Sequence, residues 1–402
     1  MKLKIGIMLP LALLLSLASC AQRQQNQSAE DYYRVVPLEG GKSVEISGYV
    51  ETKQSVRIPA RLHGMPVAGI GRGVFARREL INVTIPDSVT SIGDGAFAEN
   101  LLIVLNMGNG VIVIGDWAFS RNQLTGVTIP KSVTSIGIEA FSENYLTSVI
   151  IPGSVSIIKD RAFYKNQLTS VTISNGVSVI GTEAFWENHL TSVIIPKSVT
   201  NIGDWAFQDN QLTSVTIPDS VMGIGAGAFY DNQLAGVTIP DSVRVIGAEA
   251  FARNPLTSIT ISPDNPTYVI KGFFLLSKDE KQLILYFGSE ESVTIPGSVT
   301  TIGPGAFSSK QLTSVTIPDS VTSIGNRAFR ENQLTSVTIP PNVTSIGERA
   351  FQDNQLTNIN IGANVEMENS AFDGYFFNSY YYSYGRRAGT YAILRNNYWS
   401  RQ

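Results

Sequence analysis

Residues 211–232 read QLTSVTIPDSVMGIGAGAFYDN, and close copies of this segment recur along most of the 402-residue chain. Val215 and Ile217 alternate with small hydroxyl residues, which is the two-residue period of a strand with one buried face. Pro218 cannot donate a hydrogen bond to a strand ladder, so it ends the strand. Phe229 follows a glycine-containing turn and is the largest apolar side chain of the segment. We therefore expect each copy to form a short strand and a turn around a large interior plug.

The spacing of the phenylalanines defines the length of the repeat. Phenylalanine recurs at this position, mostly in steps of 22 residues, at Phe75, Phe97, Phe119, Phe141, Phe163, Phe185, Phe207, Phe229, Phe251, Phe307, Phe329, Phe351 and Phe372. A fixed period of this length indicates a solenoid, in which each unit buries its apolar face only against its neighbours. The sequence therefore predicts a β-rich solenoid of about 13 repeats of 22 residues, with a parallel β-sheet on one face.

An asparagine recurs three residues after the phenylalanine in ten copies: Asn100, Asn122, Asn144, Asn166, Asn188, Asn210, Asn232, Asn254, Asn332 and Asn354. Arg78 and Lys310 occupy the same position where the series begins and where it resumes after an interruption. A column of buried amides would bond the backbone groups that are freed at the turns between coils. We interpret these asparagines as a structural column.

Segments of different pattern flank and interrupt the repeats. Phe251 and Phe307 are 56 residues apart, which is two repeats of 22 plus an insertion of 12. Two apolar runs, 272–276 and 283–287, surround a charged turn there and predict a β-hairpin that bulges from one edge. We divide the chain into an export signal (1–20), a flexible tether (21–43), N-terminal capping strands (44–74), repeats (75–261), a hairpin-containing variant repeat (262–290), repeats (291–373) and an aromatic-rich cap or tail (374–402).

The C-terminal segment is crowded with aromatic side chains, namely Tyr375, Phe376, Phe377, Tyr380, Tyr381, Tyr382, Tyr384, Tyr391, Tyr398 and Trp399. In one interpretation, these rings cover the last coil as a cap. In the other, they form an exposed binding element, because tyrosine and tryptophan are favoured anchors at protein interfaces. The sequence leaves both interpretations open.

The first 20 residues have the pattern of an export signal. Lys2 and Lys4 precede an apolar run over 5–17, which is too short for a membrane span. Cys20 is the only cysteine of the chain and ends the sequence L-A-S-C, which resembles the bacterial lipobox. That resemblance implies that Cys20 is lipidated, becomes the new N-terminus and anchors the protein to a membrane. A plain secretory signal is the alternative.

The repeat unit L-x-x-V-T-I-P-x-S-V-x-x-I-G-x-x-A-F-x-x-N resembles the BspA-like leucine-rich repeat of bacterial surface proteins, over about residues 60–373. The resemblance implies a leucine-rich repeat right-handed coil. It also implies a protein of the cell envelope, at the outer-membrane surface, that adheres to host matrix, host cells or other bacteria and has no catalytic residues. That family often has cysteine at the position of the asparagine column, and this chain has the asparagine version.

Binding specificity should reside at positions that the fold does not dictate. Such positions carry Tyr164, Trp186 and Tyr230 directly after the repeat phenylalanine, Trp117 and Trp205 directly before the Ala-Phe pair, and Tyr145 and His189 directly after the asparagine. We expect Tyr164 and Trp186 to be neighbours about one strand spacing apart. An exposed aromatic stripe would suit protein ligands. The alternative is that these rings only pack over adjacent turns.

The residue pattern points away from catalysis. His63 and His189 are the only histidines, and the chain has neither a Cys/His cluster nor a calcium-loop pattern, so we predict no metal site and no cofactor. The net charge of −3 gives no reason to expect nucleic acid as a partner. We interpret the chain as a non-enzymatic surface protein for adhesion or protein interaction. A structural envelope lipoprotein without an external ligand and an ice-binding solenoid with Ser-Thr rows are the alternatives.

Overall fold

The repeats coil into a parallel β-solenoid of about 15 turns. The computed structural model describes residues 29–368, 370–372, 375–383, 385–393 and 399–402. The export signal with Cys20, and residues 21–28 of the predicted tether, lie outside the described residues. Equivalent residues of successive turns pair in parallel, so that Ser192 lies beside Ser214 and Val193 beside Val215. The predicted solenoid with a parallel sheet is therefore confirmed.

Most turns contribute two short strands, which form two rows on different sides of the solenoid. The first row coincides with the predicted strand segment and contains Ser55–Arg57, Asn82–Thr84, Val104–Asn106, Ser148–Ile151, Ser170–Ile173, Ser192–Ile194, Ser214–Thr216, Gly236–Ile239, Ser258–Ile261, Ser292–Thr294, Ser314–Thr316, Ser336–Thr338 and Asn358–Ile361. The second row follows the next bend and contains Ser91–Ile92, Val113–Ile114, Ser135–Ile136, Ile157–Ile158, Val179–Ile180, Asn201–Ile202, Gly223–Ile224, Val245–Ile246, Thr301–Ile302, Ser323–Ile324, Ser345–Ile346 and Glu366–Met367.

The remaining elements lie at the ends and in the insertion. They are the 3₁₀ helix Ala29–Tyr32, the α-helix Tyr375–Ser383, and the strands Tyr33–Pro37, Val44–Tyr49, Arg61–Leu62, Met65–Ile70, Tyr268–Lys271, Phe274–Ser277, Gln282–Tyr286, Gly389–Ile393 and Trp399–Arg401.

The second row was not expected from the sequence, yet it forms the longer ladder. One sheet continues on this side from the N-terminal strands to Val245–Ile246, whereas the first row is divided into several shorter sheets. Each second-row strand has only two residues, and one of them, such as Ile224, is buried. Two residues are too few to display the alternation by which a strand is recognised in a sequence.

The repeat phenylalanines form two stacks in the interior, one from Phe75 to Phe251 and one from Phe307 to Phe372. Phe75 and Phe97 lie with ring centroids 5.0 Å apart and planes 4° apart, and the stack continues to Phe251 with spacings up to 5.6 Å. Nearly all of these rings have no exposed surface. Full burial of one such side chain contributes about 1.5–3 kcal/mol, so the stack is a main source of cohesion between turns.

The insertion divides the interior into two hydrophobic cores instead of bulging from one edge. Its three strands form an antiparallel meander, whose last strand pairs in parallel with Thr301–Ile302. Leu275 and Leu285 pack against the core of the N-terminal turns, while Leu276 and Leu283 pack against the core of the C-terminal turns. One face of the hairpin therefore packs against the N-terminal core and the other against the C-terminal core. This explains why both faces of the hairpin are hydrophobic.

The N-terminal cap begins earlier than the sequence suggested, so the tether prediction is wrong for residues 29–43. The strand Tyr33–Pro37 lies within the predicted tether but pairs antiparallel with Val44–Tyr49. The ring of Tyr33 packs on Tyr49 at 5.1 Å, and Tyr49 in turn packs on Phe75 at 4.9 Å. These contacts cover the first turn and hold the segment in a folded position. Because the neighbouring residues are polar, nothing in the sequence indicated this pairing.

The described C-terminal aromatic residues cover the last turn. Phe377, Tyr381 and Tyr391 have no exposed surface, and Trp399 is also buried. The ring centroid of Phe377 lies 4.9 Å from that of Phe372, the last ring of the phenylalanine series. The strand at 389–393 pairs antiparallel with Asn358–Ile361 and closes the first row at this end. Among the two interpretations of this segment, the geometry of these four residues matches the cap.

Candidate protein-interaction surface

The asparagine column sets the spacing of the turns and so positions the surface. Asn166 is typical: its Oδ1 accepts from the backbone N–H of Leu146 at 3.1 Å, and its Nδ2 donates to the carbonyls of Phe141 at 2.9 Å and Phe163 at 3.2 Å. The other nine asparagines make equivalent bonds, from Asn100 to Asn354. Each amide therefore joins its own turn to the preceding one. These side chains face inward and are not available to a partner.

The outward residues of the first row form a face that we call the strand face. Between residues 101 and 217 its outward positions carry mainly serine, threonine and aliphatic side chains, without a carboxylate. Ile150 and Ile194 stand out, because 64% and 82% of their surface is exposed where most turns have threonine. The sequence analysis did not single them out. The signal that could have found them is V-I-I-P at 149–152 and 193–196 in place of V-T-I-P.

Tyr164 and Trp186 are the two predicted binding residues that the structure brings together. Their ring centroids lie 5.1 Å apart, and the Trp186 Nε1 donates to a carboxylate oxygen of Asp209 at 2.8 Å. Both rings are half-buried against neighbouring turns. Tyr230 lies two turns beyond Trp186, and burial raises its pKa. This short stripe combines the packed and the exposed interpretations, since each ring has one face on the protein and one edge in solvent.

Trp117 and Trp205 lie on a different row, at residues with a left-handed backbone. Their φ angles are 56° and 53°, which costs a non-glycine residue on the order of 1 kcal/mol. A hydrogen-bond ladder holds this conformation, because Trp117 N donates to Ile138 O at 2.8 Å. The two side chains are 43% and 41% exposed but stand four turns apart. They do not form a common patch with each other.

Tyr145 and His189 occupy a third row, directly after the asparagine column. Both side chains are exposed, and they stand two turns apart at the edge of an open groove of about 530 Å³. The seven predicted binding residues are therefore distributed over three rows. Apart from the contact between Tyr164 and Trp186, the structure does not bring them into one site.

A row of charged residues runs between these aromatic side chains and largely neutralises itself. Equivalent positions of adjacent turns form the ion pairs Arg77–Glu99 at 2.8 Å, Arg121–Glu143 at 3.0 Å, Lys165–Glu187 at 3.5 Å and Arg253–Asp231 at 3.2 Å. Exposed pairs of this kind contribute little to stability, because water and salt screen them. From Arg77 to Glu187 the charges alternate and balance, whereas Asp209 and Asp231 make the following part of the row acidic.

The described residues hold neither a cluster of potential metal ligands nor a helix with the length and hydrophobicity of a membrane span. His63 lies 3.5 Å from Glu30 at the surface, and His189 stands in the exposed row described above. The geometry of the described part of the chain is thus that of an extended surface with repeated rows, without convergent catalytic groups.

Several solved structures share this fold. A leucine rich cell surface protein from Faecalibacterium prausnitzii A2-165 is 27% identical, with a TM-score of 0.53 over 87% of this chain and 86% of that chain. A leucine-rich repeat protein from Eubacterium ventriosum ATCC 27560 is 25% identical, with a TM-score of 0.51 over 56% of this chain and 70% of that chain. A leucine-rich repeat protein from Bacteroides ovatus ATCC 8483, 22% identical over 86% of this chain and 91% of that chain with a TM-score of 0.50, supports the fold alone.

No protein with a curated functional description matches the chain significantly. The sequence profile of the BspA type leucine rich repeat region, in contrast, matches residues 68–190, 180–281 and 285–383, which is more than half of the chain. Repeats of this type form protein-interaction scaffolds. The chain therefore belongs to the BspA-type leucine-rich repeat family.

Proposed function

We propose that this protein is a lipid-anchored adhesin of the cell surface that binds proteins of a host or of other bacteria through its strand face. The observation that carries the proposal is the composition of that face. It is long, free of carboxylates between residues 101 and 217, and exposes Ile150 and Ile194 where a threonine would serve the strand equally well. Exposed aliphatic groups on a rigid face suit contact with another protein.

The anchoring part of the proposal rests on Cys20. It follows Leu17-Ala18-Ser19 at the end of an apolar run, as the acceptor cysteine of a lipoprotein signal does. The similar protein from Faecalibacterium prausnitzii is described as a cell surface protein, which supports an external location. The same arrangement favours binding over catalysis, because a solenoid face offers repeated contacts instead of one enclosed pocket.

A comparison of three strains tests the proposal: cells that express the full chain, cells that express Cys20→Ser, and cells that lack the protein. We expect surface protease to remove the repeat array from intact cells of the first strain. Those cells should attach to matrix-coated wells or to partner bacteria more than the other two strains do. Purified soluble chain from the Cys20→Ser strain should compete with this attachment.

Two results would refute the proposal. Protection of the array from protease on intact cells would place it inside the envelope and favour the structural lipoprotein. Equal attachment of all three strains across a broad panel of matrix proteins and bacteria would remove the evidence for adhesion. Release of the Cys20→Ser chain into the medium serves as the control that the anchor, and not the fold, has been changed.

A further inference from the structure

The first row of strands is interrupted where the repeat at residues 123–132 would continue it. Residues 126–129 form no strand, although their sequence GVTI fits the pattern. Within the described residues, no backbone hydrogen bond joins 126–129 to either neighbouring turn. The ladder is intact just before, where Thr147 N donates to Thr125 O at 3.2 Å, and it resumes where Thr134 N donates to Ile112 O at 2.9 Å. Two neighbouring turns therefore separate locally over about four residues.

The turn before the separation packs closely against the turn that precedes it. That turn has Gly108 and Gly110 where most turns have proline and serine. A Cβ atom at Gly108 would lie 2.5 Å from a carbonyl carbon of Pro86, and one at Gly110 would lie 1.9 Å from the carbonyl oxygen of Asp87. This turn can therefore pack more closely against the turn before it. At Gly126, on its other side, a Cβ atom would meet nothing within 4 Å.

Beside this segment lies a cleft of about 810 Å³, lined mainly by residues 127–131 and by strand Ser148–Ile151 with the turn that follows it. Strand Ser148–Ile151 pairs only with Ser170–Ile173, so its other edge, on the side of residues 126–129, is unpaired and borders the cleft. Val127, Ile129 and Ile150 supply an apolar lining. Unpaired backbone groups beside apolar side chains are the two features by which a sheet accepts an added strand.

The charge at the rim of the cleft indicates the charge that a ligand should carry. Lys131 lines the cleft and is exposed, and it forms no ion pair within the described part of the chain. Lys197 stands at the equivalent position three turns later, and the two turns between them carry Gly153 and Asn175 at this position. The nearest carboxylates of this row are Asp87 on one side and Asp219 on the other. An uncompensated cation beside an apolar cleft favours a ligand with a carboxylate.

We infer that this cleft binds an extended peptide segment of a partner protein, one with aliphatic side chains and a carboxylate near one end. The segment adds as a strand to the unpaired edge of Ser148–Ile151, its aliphatic groups cover Val127 and Ile150, and its carboxylate pairs with Lys131. This inference rests on the proposed function, because it names the part of the strand face that takes the partner and the chemistry of the segment.

A second break of the first row provides an internal contrast. Strands Ser214–Thr216 and Gly236–Ile239 are also unpaired with each other. There, however, both strands persist, the outward residues are threonines, and the rim carries Asp219 and Asp241. An acidic aliphatic segment fits the first cleft and is repelled by the second.

The experiment uses the purified full chain and the peptide acetyl-Asp-Val-Ile-Val-Thr-amide, labelled through a C-terminal linker and followed by fluorescence anisotropy. Two control peptides have the same length: one has lysine in place of aspartate, and one has N-methyl groups at alternate peptide bonds, so that it cannot donate ladder hydrogen bonds. We expect saturable binding of the first peptide and at least ten-fold weaker binding of each control, which is a difference of about 1.4 kcal/mol.

Matched variants locate the site. Ile150→Glu and Lys131→Gln change residues that line the cleft, while Ile194→Glu and Lys197→Gln change equivalent residues outside it. We expect Ile150→Glu to weaken binding roughly ten-fold or more and Lys131→Gln to weaken it about three-fold, with both outside variants close to wild type. Ile150→Thr, which installs the residue of most other turns, is a milder second variant if Ile150→Glu fails to fold, and it should weaken binding several-fold.

Three results would overturn the inference: no binding of the first peptide at millimolar concentration, equal loss for the inside and outside variants, or full binding of the N-methylated peptide. The adhesion assay separates this failure from failure of the proposed function. If cells that carry Ile150→Glu attach like wild type while cells that lack the protein do not, the protein is an adhesin and this cleft is not its contact.

Discussion

Replacement of Asn166 by alanine is a test of how the turns are held together. The Asn166 side chain makes four backbone contacts: it accepts from Leu146 N, and it donates to the carbonyls of Phe141, Phe163 and Tyr164, the last at 3.3 Å. Its amide is buried. Alanine removes all four contacts and leaves the backbone otherwise unchanged.

The loss of stability depends on which of these four backbone groups keep another hydrogen-bond partner in the variant. The Phe141 carbonyl also accepts from Asn144 at 3.3 Å, and the Phe163 carbonyl also accepts from Asn188 at 3.0 Å. The Tyr164 carbonyl keeps the N–H of Glu143 at 2.8 Å. The Leu146 N–H has no second acceptor among the described residues.

One orphaned buried donor costs about 1–3 kcal/mol, and loss of the three shared bonds adds to it. We therefore expect the variant to lose about 3 kcal/mol of local stability. Because a solenoid turn contacts only its neighbours, most of this loss should appear in the turns at 123–188 and not over the whole chain.

Amide hydrogen exchange with mass spectrometry measures this local effect. We expect the peptide that contains Leu146 to lose protection by roughly two orders of magnitude, since 1.4 kcal/mol is a factor of ten. Gln167→Ala is the matched control, because Gln167 is the next residue and its side chain is exposed. A loss below about 0.5 kcal/mol, the level of an ordinary surface change, would refute the assignment of Asn166 as a link between turns. So would equal loss in both variants.

Three further predictions concern the interruption and the ends. Burial lowers the pKa of half-buried Lys310 from 10.5 to about 8. The unfolded chain therefore binds the extra proton between these values, and native stability should rise from pH 8 to pH 10.5. Denaturation curves of Lys310→Met should lack this rise, and persistence of the rise would contradict the assignment. Phe377→Ala should cost about 3–5 kcal/mol, with exchange protection lost only near the C-terminal cap; loss over the whole chain would contradict this local role. Arg253→Gln should cost about 1 kcal/mol and loosen the turns on both sides of the insertion, because Arg253 bonds Asp231 and Glu331; unchanged exchange there would contradict the bridging role.

The interior of the molecule could be predicted because equivalent interior residues have the same surroundings in every turn. Phe119 stacks on Phe97 and Phe141 at 5.3 Å and 5.4 Å, so the period that brings the rings together is the period of the sequence. Likewise, the donor and acceptor groups of Asn122 match the backbone groups of the adjacent turn. The contacts deduced from the sequence of one repeat therefore apply to the other turns.

The parts that the sequence analysis missed depend on contacts that do not repeat. The strand at 33–37 is stabilised by a single partner, and nothing in its own residues indicates that partner. The insertion has an apolar face for each of two cores, which only the three-dimensional path of the chain reveals. The predicted binding residues were chosen because they vary, but variation alone does not determine on which row a side chain stands or whether its neighbours reach it.

The strand face shows how function could be separated from fold in such a chain. Threonine and isoleucine are both β-branched and suit an exposed strand position equally, so the strand has no need of Ile150. A single exposed aliphatic residue requires no explanation. Ile150, however, lies at the edge of a cleft where the ladder is open, one turn after Gly108 and Gly110 pack closely against the preceding turn. Independent departures from the repeat thus meet at one place: an open ladder, an aliphatic side chain that lines the opening and a lysine without a partner at its rim. The pair of isoleucine and lysine recurs at Ile194 and Lys197, where the ladder is intact. The inferred peptide segment therefore distinguishes the two places by the open ladder, and the comparison of Ile150→Glu with Ile194→Glu measures that difference.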